Sequence, residues 1–257
     1  MTGIFDTHAH YDDERFDEDR DVLLQSLKEK GVDYVLSCGV NEETSKCNIG
    51  LHEKYPFLFA AAGFHPLNLE DAPTTEAELR AVLEPLLEHP ATIALGEIGL
   101  DYYYEKESRN EQLWLFETQL KIAKERDLPV SVHDRDAHED TLRLLKKYQP
   151  RGAVHCFSGS VEMAKEILKI GMHLGFGGSV TFKNAVKPPQ VAAFVPLERL
   201  LLETDAPYMT PIPFRGKRCD SSHIAYTAEK IATLRGTTKE EIIKAATENA
   251  KKLFSIE

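Results

Sequence analysis

The sequence contains few cysteines, few basic residues and no long apolar run. Among its 257 residues are four cysteines and 31 Lys+Arg against 42 Asp+Glu, for a formal net charge of −11. A membrane helix needs roughly 20 consecutive apolar residues, and no stretch approaches that length, so we expect no contact with a membrane. The cysteines form no C-x-x-C pair, which favours free thiols in a reducing compartment over a disulfide framework.

Export signals and several common catalytic motifs are also missing. The segment MTGIFDTHAHYDDE has neither the basic start nor the apolar centre of a secretory signal, so we expect a cytoplasmic protein. There is no G-x-G-x-x-G, G-x-x-x-x-G-K-[ST], G-x-S-x-G or H-E-x-x-H, which excludes the sites that those motifs build. The acidic balance disfavours extensive coating of duplex DNA, since that affinity comes from neutralising phosphates. No feature indicates an obligate protein partner.

Short apolar or β-branched runs alternate with helical patterns along the chain. Leu113, Phe116 and Leu120 recur at helical spacing within 110–125, and similar patterns predict helices over 162–170 and 237–254. Strands separated by helices pair in parallel through right-handed crossovers. Eight such units in about 250 residues favour a (β/α)8 TIM-type barrel over a doubly wound sheet. No linker interrupts the chain, so we expect one domain over 1–257. The predicted strands are 3–7, 34–38, 58–63, 92–98, 130–133, 153–157, 173–176 and 200–203.

Residues able to bind metal lie at the carboxyl ends of these strands. In a parallel barrel those ends converge on one face, where active sites are built. A single residue of this kind is more often structural: Glu97 could pair with an arginine, and Asp205 before Ala-Pro could shape a turn. Six of them on five strands indicate a metal site instead. The six are His8, His10, Glu97, His133, His155 and Asp205, and His65 ends a further strand.

The number of candidate ligands indicates two ions. One catalytic zinc-like ion uses about three protein ligands plus water, whereas two ions that share a carboxylate would use all six. Such paired ions activate a water and hold the oxygens of a displacement reaction. Glu97, central in strand order, is the predicted shared ligand, and Asp205 could both bind a metal and accept the proton of the attacking water. The imidazoles favour Zn²⁺, Mn²⁺, Ni²⁺, Co²⁺ or Fe²⁺ over Mg²⁺ alone.

Specific motifs accompany these residues from one end of the sequence to the other. They are DTHAH (6–10), GFHP (63–66), GEIGLDYY (96–103), SVHDRDAHEDT (131–141), HCFSG (155–159), LLLETDAPY (200–208) and FRGKR (214–218). In these motifs the chain resembles the TatD-type metal-dependent hydrolases, a branch of the amidohydrolase-like barrels. The resemblance implies a (β/α)8 barrel, a divalent-metal site and deoxyribonuclease activity.

The resemblance also implies roles for particular residues. It suggests His8, His10, Glu97 and Asp205 around one ion, and Glu97, His133 and His155 around the other. His65, beside the ligands, resembles a residue that contacts the substrate or supports a ligand. The candidates for phosphate contact are Arg135, Lys183, Arg215 and Arg218.

Three functions stay open at this point. The leading hypothesis is metal-dependent hydrolysis of a phosphodiester, with DNA as substrate. Residues 11–21 carry seven acids and two arginines and would repel a long polyanion, so we expect action on single-stranded or frayed ends. The alternative is hydrolysis of an amide, ester or lactone bond, including deacylation of aminoacyl-RNA, because paired metals also polarise carbonyls. A barrel that only binds a partner is disfavoured by the full set of ligands.

Overall fold

The computed structural model of the chain describes residues 3–257, within which eight strands alternate with nine α-helices. The strands are Ile4–Ala9 (β1), Val32–Cys38 (β2), Leu58–Ala62 (β3), Thr92–Asp101 (β4), Val130–Arg135 (β5), Gly152–Val154 (β6), His173–Phe176 (β7) and Leu200–Leu202 (β8). The helices are Arg20–Leu27 (α1), Glu42–Lys54 (α2), Glu76–Leu87 (α3), Arg109–Glu125 (α4), His138–Tyr148 (α5), Val161–Ile170 (α6), Lys187–Phe194 (α7), Ile224–Arg235 (α8) and Lys239–Phe254 (α9).

The strands form one parallel sheet in sequence order, β1 to β8. This order, with helices in the connections, is the (β/α)8 TIM-type barrel, and the predicted fold is confirmed. None of the helices within residues 3–257 combines the length and the apolar character needed to cross a membrane.

The barrel closes where β1 meets the end of β8, and side chains contribute to the closure. A parallel bridge joins Ala9 to Ala206, and the N–H of Asp205 donates to the carbonyl of His8 at 2.9 Å. Thr204 donates its N–H and its hydroxyl to the two oxygens of the buried Asp6 carboxylate, at 3.0 and 2.6 Å. We call this contact the β1–β8 seam. It fixes His8 on β1, and His10 directly after β1, beside the segment that carries Asp205.

Apolar side chains fill the amino-terminal end of the barrel. Phe5 and Leu36 pack there with α9, and the Phe254 ring lies 5.8 Å from that of Phe5. A capping box between Thr238 and Glu241 begins α9 and satisfies amide groups that have no partner within the helix. The small residues that complete this layer are Ala61, Ala94 and Ala153. This end is a packed core, and the residues able to bind metal lie at the opposite end.

The strands differ from the predicted ones mainly at their ends. β4 continues to Asp101, and the predicted strand stops at 98. Gly99 allows the continuation: its φ is +149°, and a Cβ there would collide with the carbonyl oxygen of His133 on β5. β6 ends at Val154, so His155 follows the strand instead of lying within it. Only a glycine tolerates both the backbone angle and the close approach at position 99.

His173, at the start of β7, is expected to make the protein sensitive to acid. Burial and the nearby Arg199 lower the pKa of its imidazole from 6.5 to about 4. Below pH 6.5 the unfolded chain therefore binds a proton that the folded chain excludes, and stability falls as the pH drops toward 4. We expect His173→Gln to reduce the loss of unfolding free energy between pH 7.5 and pH 4 by about 2–3 kcal/mol, as measured by urea unfolding.

Arg199→Gln provides a second variant, since it removes the neighbouring charge and leaves the imidazole. We expect it to reduce the acid sensitivity in part. Parallel curves of unfolding free energy against pH for the wild type and His173→Gln would show that His173 does not cause the effect.

Candidate metal centre

The carboxyl ends of the strands surround an open cavity of about 700 Å³. Histidines and acids from six places along the chain face it. His8 lies in β1 and His10 directly follows the strand. We call these two residues the β1 histidines, and the alternation of extended backbone gives them the same side. The predicted residues that line the cavity are His10, His65, Glu97, His133, Arg135, His155 and Asp205. His8 is fully buried directly behind them.

Glu97 lies at the centre of this group. Its side chain is almost completely buried, and five imidazoles approach its two oxygens. The nitrogen–oxygen distances are 2.8 Å to His155, 2.9 Å to His133, 3.4 Å to His8, 3.4 Å to His10 and 3.5 Å to His65. Oε2 faces the β1 histidines, and Oε1 faces the other three. The carboxylate therefore divides the cluster into two halves, each with its own oxygen.

Asp205 completes the half that contains the β1 histidines. Its Oδ1 lies 3.5 Å from His10 Nε2 and 4.0 Å from His8 Nε2. The backbone at Asp205 has φ +61°, a conformation that is uncommon outside glycine. Hydrogen bonds hold it there, from its own N–H to the carbonyl of His8 and from the N–H of Tyr208 to its carbonyl, at 2.9 and 2.7 Å. The β1–β8 seam thus places this carboxylate.

The far ring nitrogens of three histidines are also engaged. His8 Nδ1 lies 2.9 Å from Ser131 Oγ, His10 Nδ1 lies 2.8 Å from the carbonyl of Cys38, and His133 Nε2 lies 3.1 Å from Asp101 Oδ2. A partner on the far nitrogen fixes the ring orientation and the tautomer, as is usual for histidines that bind metal. The nitrogens that face Glu97 are left free to bind a cation.

Both carboxylates carry charge at neutral pH. Burial alone would raise the pKa of Glu97, but the imidazoles of His155, His65 and His8 hold it well below its usual range. Burial also opposes ionisation of Asp205, but the hydrogen bond from His10 and the charges of His155, His10 and His8 together outweigh it and lower the pKa of that carboxyl. Two anions among imidazoles make a position that attracts a cation.

The donor atoms fit divalent metal ions. His8 Nε2 and His10 Nε2 are 3.2 Å apart, as are His133 Nδ1 and His155 Nε2. Ring nitrogens so close together can share only one proton, whereas a cation would satisfy both lone pairs. Imidazole nitrogens with carboxylate oxygens suit the transition metals. Three groups have ligand atoms within 4.8 Å of one another, namely His8–His155–Asp205, His8–His10–Glu97 and His65–Glu97–His133.

The predicted phosphate contacts divide into those that reach the cavity and those that do not. Arg135 lines it. Arg218 is bound to Asp19, with nitrogen–oxygen distances of 2.6 and 2.7 Å, and to the carbonyl of Arg15. Arg215 lies over the ring of Phe182 at 3.7 Å, and Lys183 is exposed. Lys183, Arg215 and Arg218 do not line the cavity.

Part of the acidic stretch of residues 11–21 lies at the rim of the cavity. Asp12, Asp13 and Glu14 line the cavity, with Arg15 at 4.0 Å from Asp13, so this side of the entrance is acidic. Other acids of the segment are neutralised, because Asp17 pairs with Arg20 at 2.6 Å and Asp19 pairs with Arg218.

Two acids near the cluster are additional to the predicted set. Asp101 accepts hydrogen bonds from the N–H groups of Tyr103 and Tyr104, each at 3.0 Å, as well as contacting His133. Glu203 accepts the N–H of Cys156 and lies 3.8 Å from His155 Nδ1. Burial raises the pKa of Glu203 to about 8. Both acids lie at strand ends: Asp101 is four residues after Glu97, and Glu203 is two residues before Asp205. This closeness in sequence to two predicted ligands is the feature that could have identified them.

Comparisons with known proteins agree with this architecture. The family model described as "TatD related DNase" matches residues 5–255. An uncharacterized metal-dependent hydrolase, YabD of Bacillus subtilis, is 43% identical and covers 98% of this chain and 99% of its own length. A 3'-5' ssDNA/RNA exonuclease TatD of Erwinia billingiae is 32% identical, covering 98% and 99%. The crystal structure of YjjV, a TatD homologue from Escherichia coli, superimposes with a TM-score of 0.91 at 34% identity, covering 99% and 98%.

Asp101→Asn tests whether this acid supports a metal ligand. The amide keeps the shape but loses the charge that holds His133, so we expect the affinity for Mn²⁺ to fall by about 10- to 100-fold with the fold unchanged by circular dichroism. Titration calorimetry measures the affinity. Glu105→Gln, an exposed acid in the same loop, is the matched control. Equal affinities in both variants would contradict the assignment.

Proposed function

This chain belongs to the TatD family of metal-dependent hydrolases, and we propose that it hydrolyses phosphodiester bonds at single-stranded or frayed ends of DNA. The observation that carries the proposal is Glu97, one carboxylate with imidazoles on both of its oxygens at the floor of an open cavity. The exonuclease name of the Erwinia relative supports the choice of a nucleic acid as substrate.

We assign two divalent metal positions to the two halves of the cluster. His8, His10, Glu97 and Asp205 would hold one ion, and Glu97, His133 and His155 would hold the other. The paired ions would lower the pKa of a water and offset the negative charge that develops on the phosphate oxygens. Zn²⁺, Mn²⁺, Ni²⁺, Co²⁺, Fe²⁺ and Mg²⁺ are the candidates, and the nitrogen donors favour the transition metals.

The protein side chains supply proton transfer and phosphate binding. Asp205 is ionised and partly open to the cavity, with 18% of its side chain exposed, so we assign it the proton of the attacking water. His65 and Arg135 face the same cavity and are positioned to bind the phosphate. Burial of Glu97 keeps its carboxylate out of solvent and available to both metal positions. The whole chain, 1–257, acts as one catalytic domain in this proposal.

Nucleotide release tests the reaction. We expect the wild-type protein, stripped with a chelator and reloaded with Mn²⁺, Zn²⁺ or Mg²⁺, to digest end-labelled single-stranded DNA. Asp205→Asn should lower the rate by about 100-fold or more because it removes the proton acceptor, and Glu97→Ala should abolish it. Glu240→Gln, an exposed acid on α9, is the control and should digest normally. DNA that stays intact with every metal, while an ester or aminoacyl-RNA is hydrolysed, would assign the cavity to carbonyl chemistry instead.

The form of the DNA provides a separate test. The negative rim formed by Asp12, Asp13 and Glu14 repels a second strand, so we expect linear single strands to be digested and covalently closed duplex circles to persist. The affinity for single strands should fall with added salt, since phosphate contacts release counterions. Equal rates on closed circles and on free ends would contradict the preference for ends. Gel analysis of both substrates under one set of conditions is sufficient.

A further inference from the structure

Two tyrosines and an arginine form a distinct surface beside the cavity. Tyr103 and Tyr104 follow β4, and they are 59% and 60% exposed. Their rings meet edge to face at 4.8 Å. The guanidinium of Arg135, at the end of β5, lies over both rings, at 4.1 Å from Tyr103 and 4.6 Å from Tyr104. We call these three residues the tyrosine platform.

The charge of Arg135 is available to a ligand. Within residues 3–257, no carboxylate lies within 4.0 Å of its guanidinium and no hydrogen bond to it is formed. Other arginines near the barrel mouth are engaged, Arg109 with Asp140 at 2.7 Å and Arg218 with Asp19 at 2.6 Å. Stacking on the two rings holds Arg135 in place without neutralising it. It is therefore a fixed cation at the entrance of the cavity, whose rim also carries Asp12, Asp13 and Glu14.

Tyr103 and Tyr104 lack the hydrogen bond to the rest of the fold that their neighbour Tyr102 makes. Tyr102 is partly buried and donates its hydroxyl to Asp140 at 2.9 Å. In the part of the chain that the structure describes, the hydroxyls of Tyr103 and Tyr104 have no hydrogen-bond partner, and most of the surface of both residues faces solvent. Exposed, unbonded aromatic rings at the edge of a functional cavity mark a recognition surface.

Asp101 also fixes the position of the platform relative to the metal centre. Asp101 Oδ1 accepts the N–H groups of Tyr103 and Tyr104, each at 3.0 Å, and Oδ2 contacts His133 Nε2 at 3.1 Å. Gln112 fixes Asp101 in turn, by accepting its N–H at 2.8 Å and donating to its carbonyl at 3.0 Å. One side chain thus sets the position of both the rings and a candidate metal ligand.

We propose that the tyrosine platform is a subsite for an unpaired nucleobase, which stacks on Tyr104 while Arg135 binds an adjoining phosphate. This inference rests on the proposed function and names how that site recognises its strand. Stacking on aromatic rings accepts any base, because every base has a π-face. A base inside a duplex is already stacked and paired, so it cannot reach the rings. The platform therefore selects unpaired strands, and the acidic rim supplies the repulsion of duplex.

Binding of a labelled oligonucleotide tests the subsite apart from catalysis. The measurement is fluorescence anisotropy of a fluorescein-labelled single strand with Asp205→Asn protein in excess Mn²⁺, so that cleavage is slow. We expect Tyr104→Ala to weaken binding by about tenfold, as for loss of one base stack, and Tyr103→Ala and Arg135→Ala to weaken it as well. Tyr104→Phe keeps the ring and should keep the affinity. Tyr226→Ala is the matched control, since Tyr226 is 42% exposed on α8 and does not line the cavity.

Abasic oligonucleotides separate stacking from a general loss of affinity. With an abasic residue at each position in turn, the protein with Tyr104 intact should lose affinity at one position, and Tyr104→Ala should show no further loss there. Platform variants that bind as tightly as Tyr226→Ala would overturn the inference even if DNA is digested. Platform-dependent binding by a wild-type protein that cuts no DNA would support the subsite and overturn the phosphodiester proposal.

Discussion

The arrangement of the site depends on one buried carboxylate, Glu97, and the five imidazoles that contact it. An isolated buried acid is unstable because it loses its hydration, and buried imidazoles resist protonation for the same reason. Together they offset these costs when their nitrogens and oxygens come close, and here these distances run from 2.8 to 3.5 Å. A parallel barrel makes this possible because its strands all end on one face. The charge pattern therefore depends on the fold.

The rest of the barrel keeps that cluster rigid. Ser131, the carbonyl of Cys38 and Asp101 hold three of the rings from behind, so the rings do not need to reorient when a cation binds. At the opposite end, Phe5 and α9 form a packed apolar layer that contributes stability, and Thr247 of α9 accepts the N–H of Phe5 at 3.2 Å. The stabilising apolar layer and the reactive cluster thus lie at opposite ends of the barrel axis. The loops at the carboxyl end can carry recognition residues such as Tyr104.

The sequence patterns predict the barrel and the central cluster because both are local signals. Runs of apolar residues mark strands, and a histidine at a strand end is visible without knowing its neighbours. Contacts between distant segments are not visible in this way. Arg218 was predicted to contact phosphate, and its partner Asp19 is 199 residues away in the chain, so nothing in FRGKR indicates the pairing. The extension of β4 to Asp101 depends on the approach of Gly99 to β5, and it places both Asp101 and the tyrosines that follow.

The β1–β8 seam has a consequence for how tightly a cation would be held. His10 and Asp205 stand on opposite sides of the seam, 3.5 Å apart, and they meet only when the barrel is closed. Binding between them and closure of the barrel are therefore linked equilibria, and occupancy adds to the stability of the closed form.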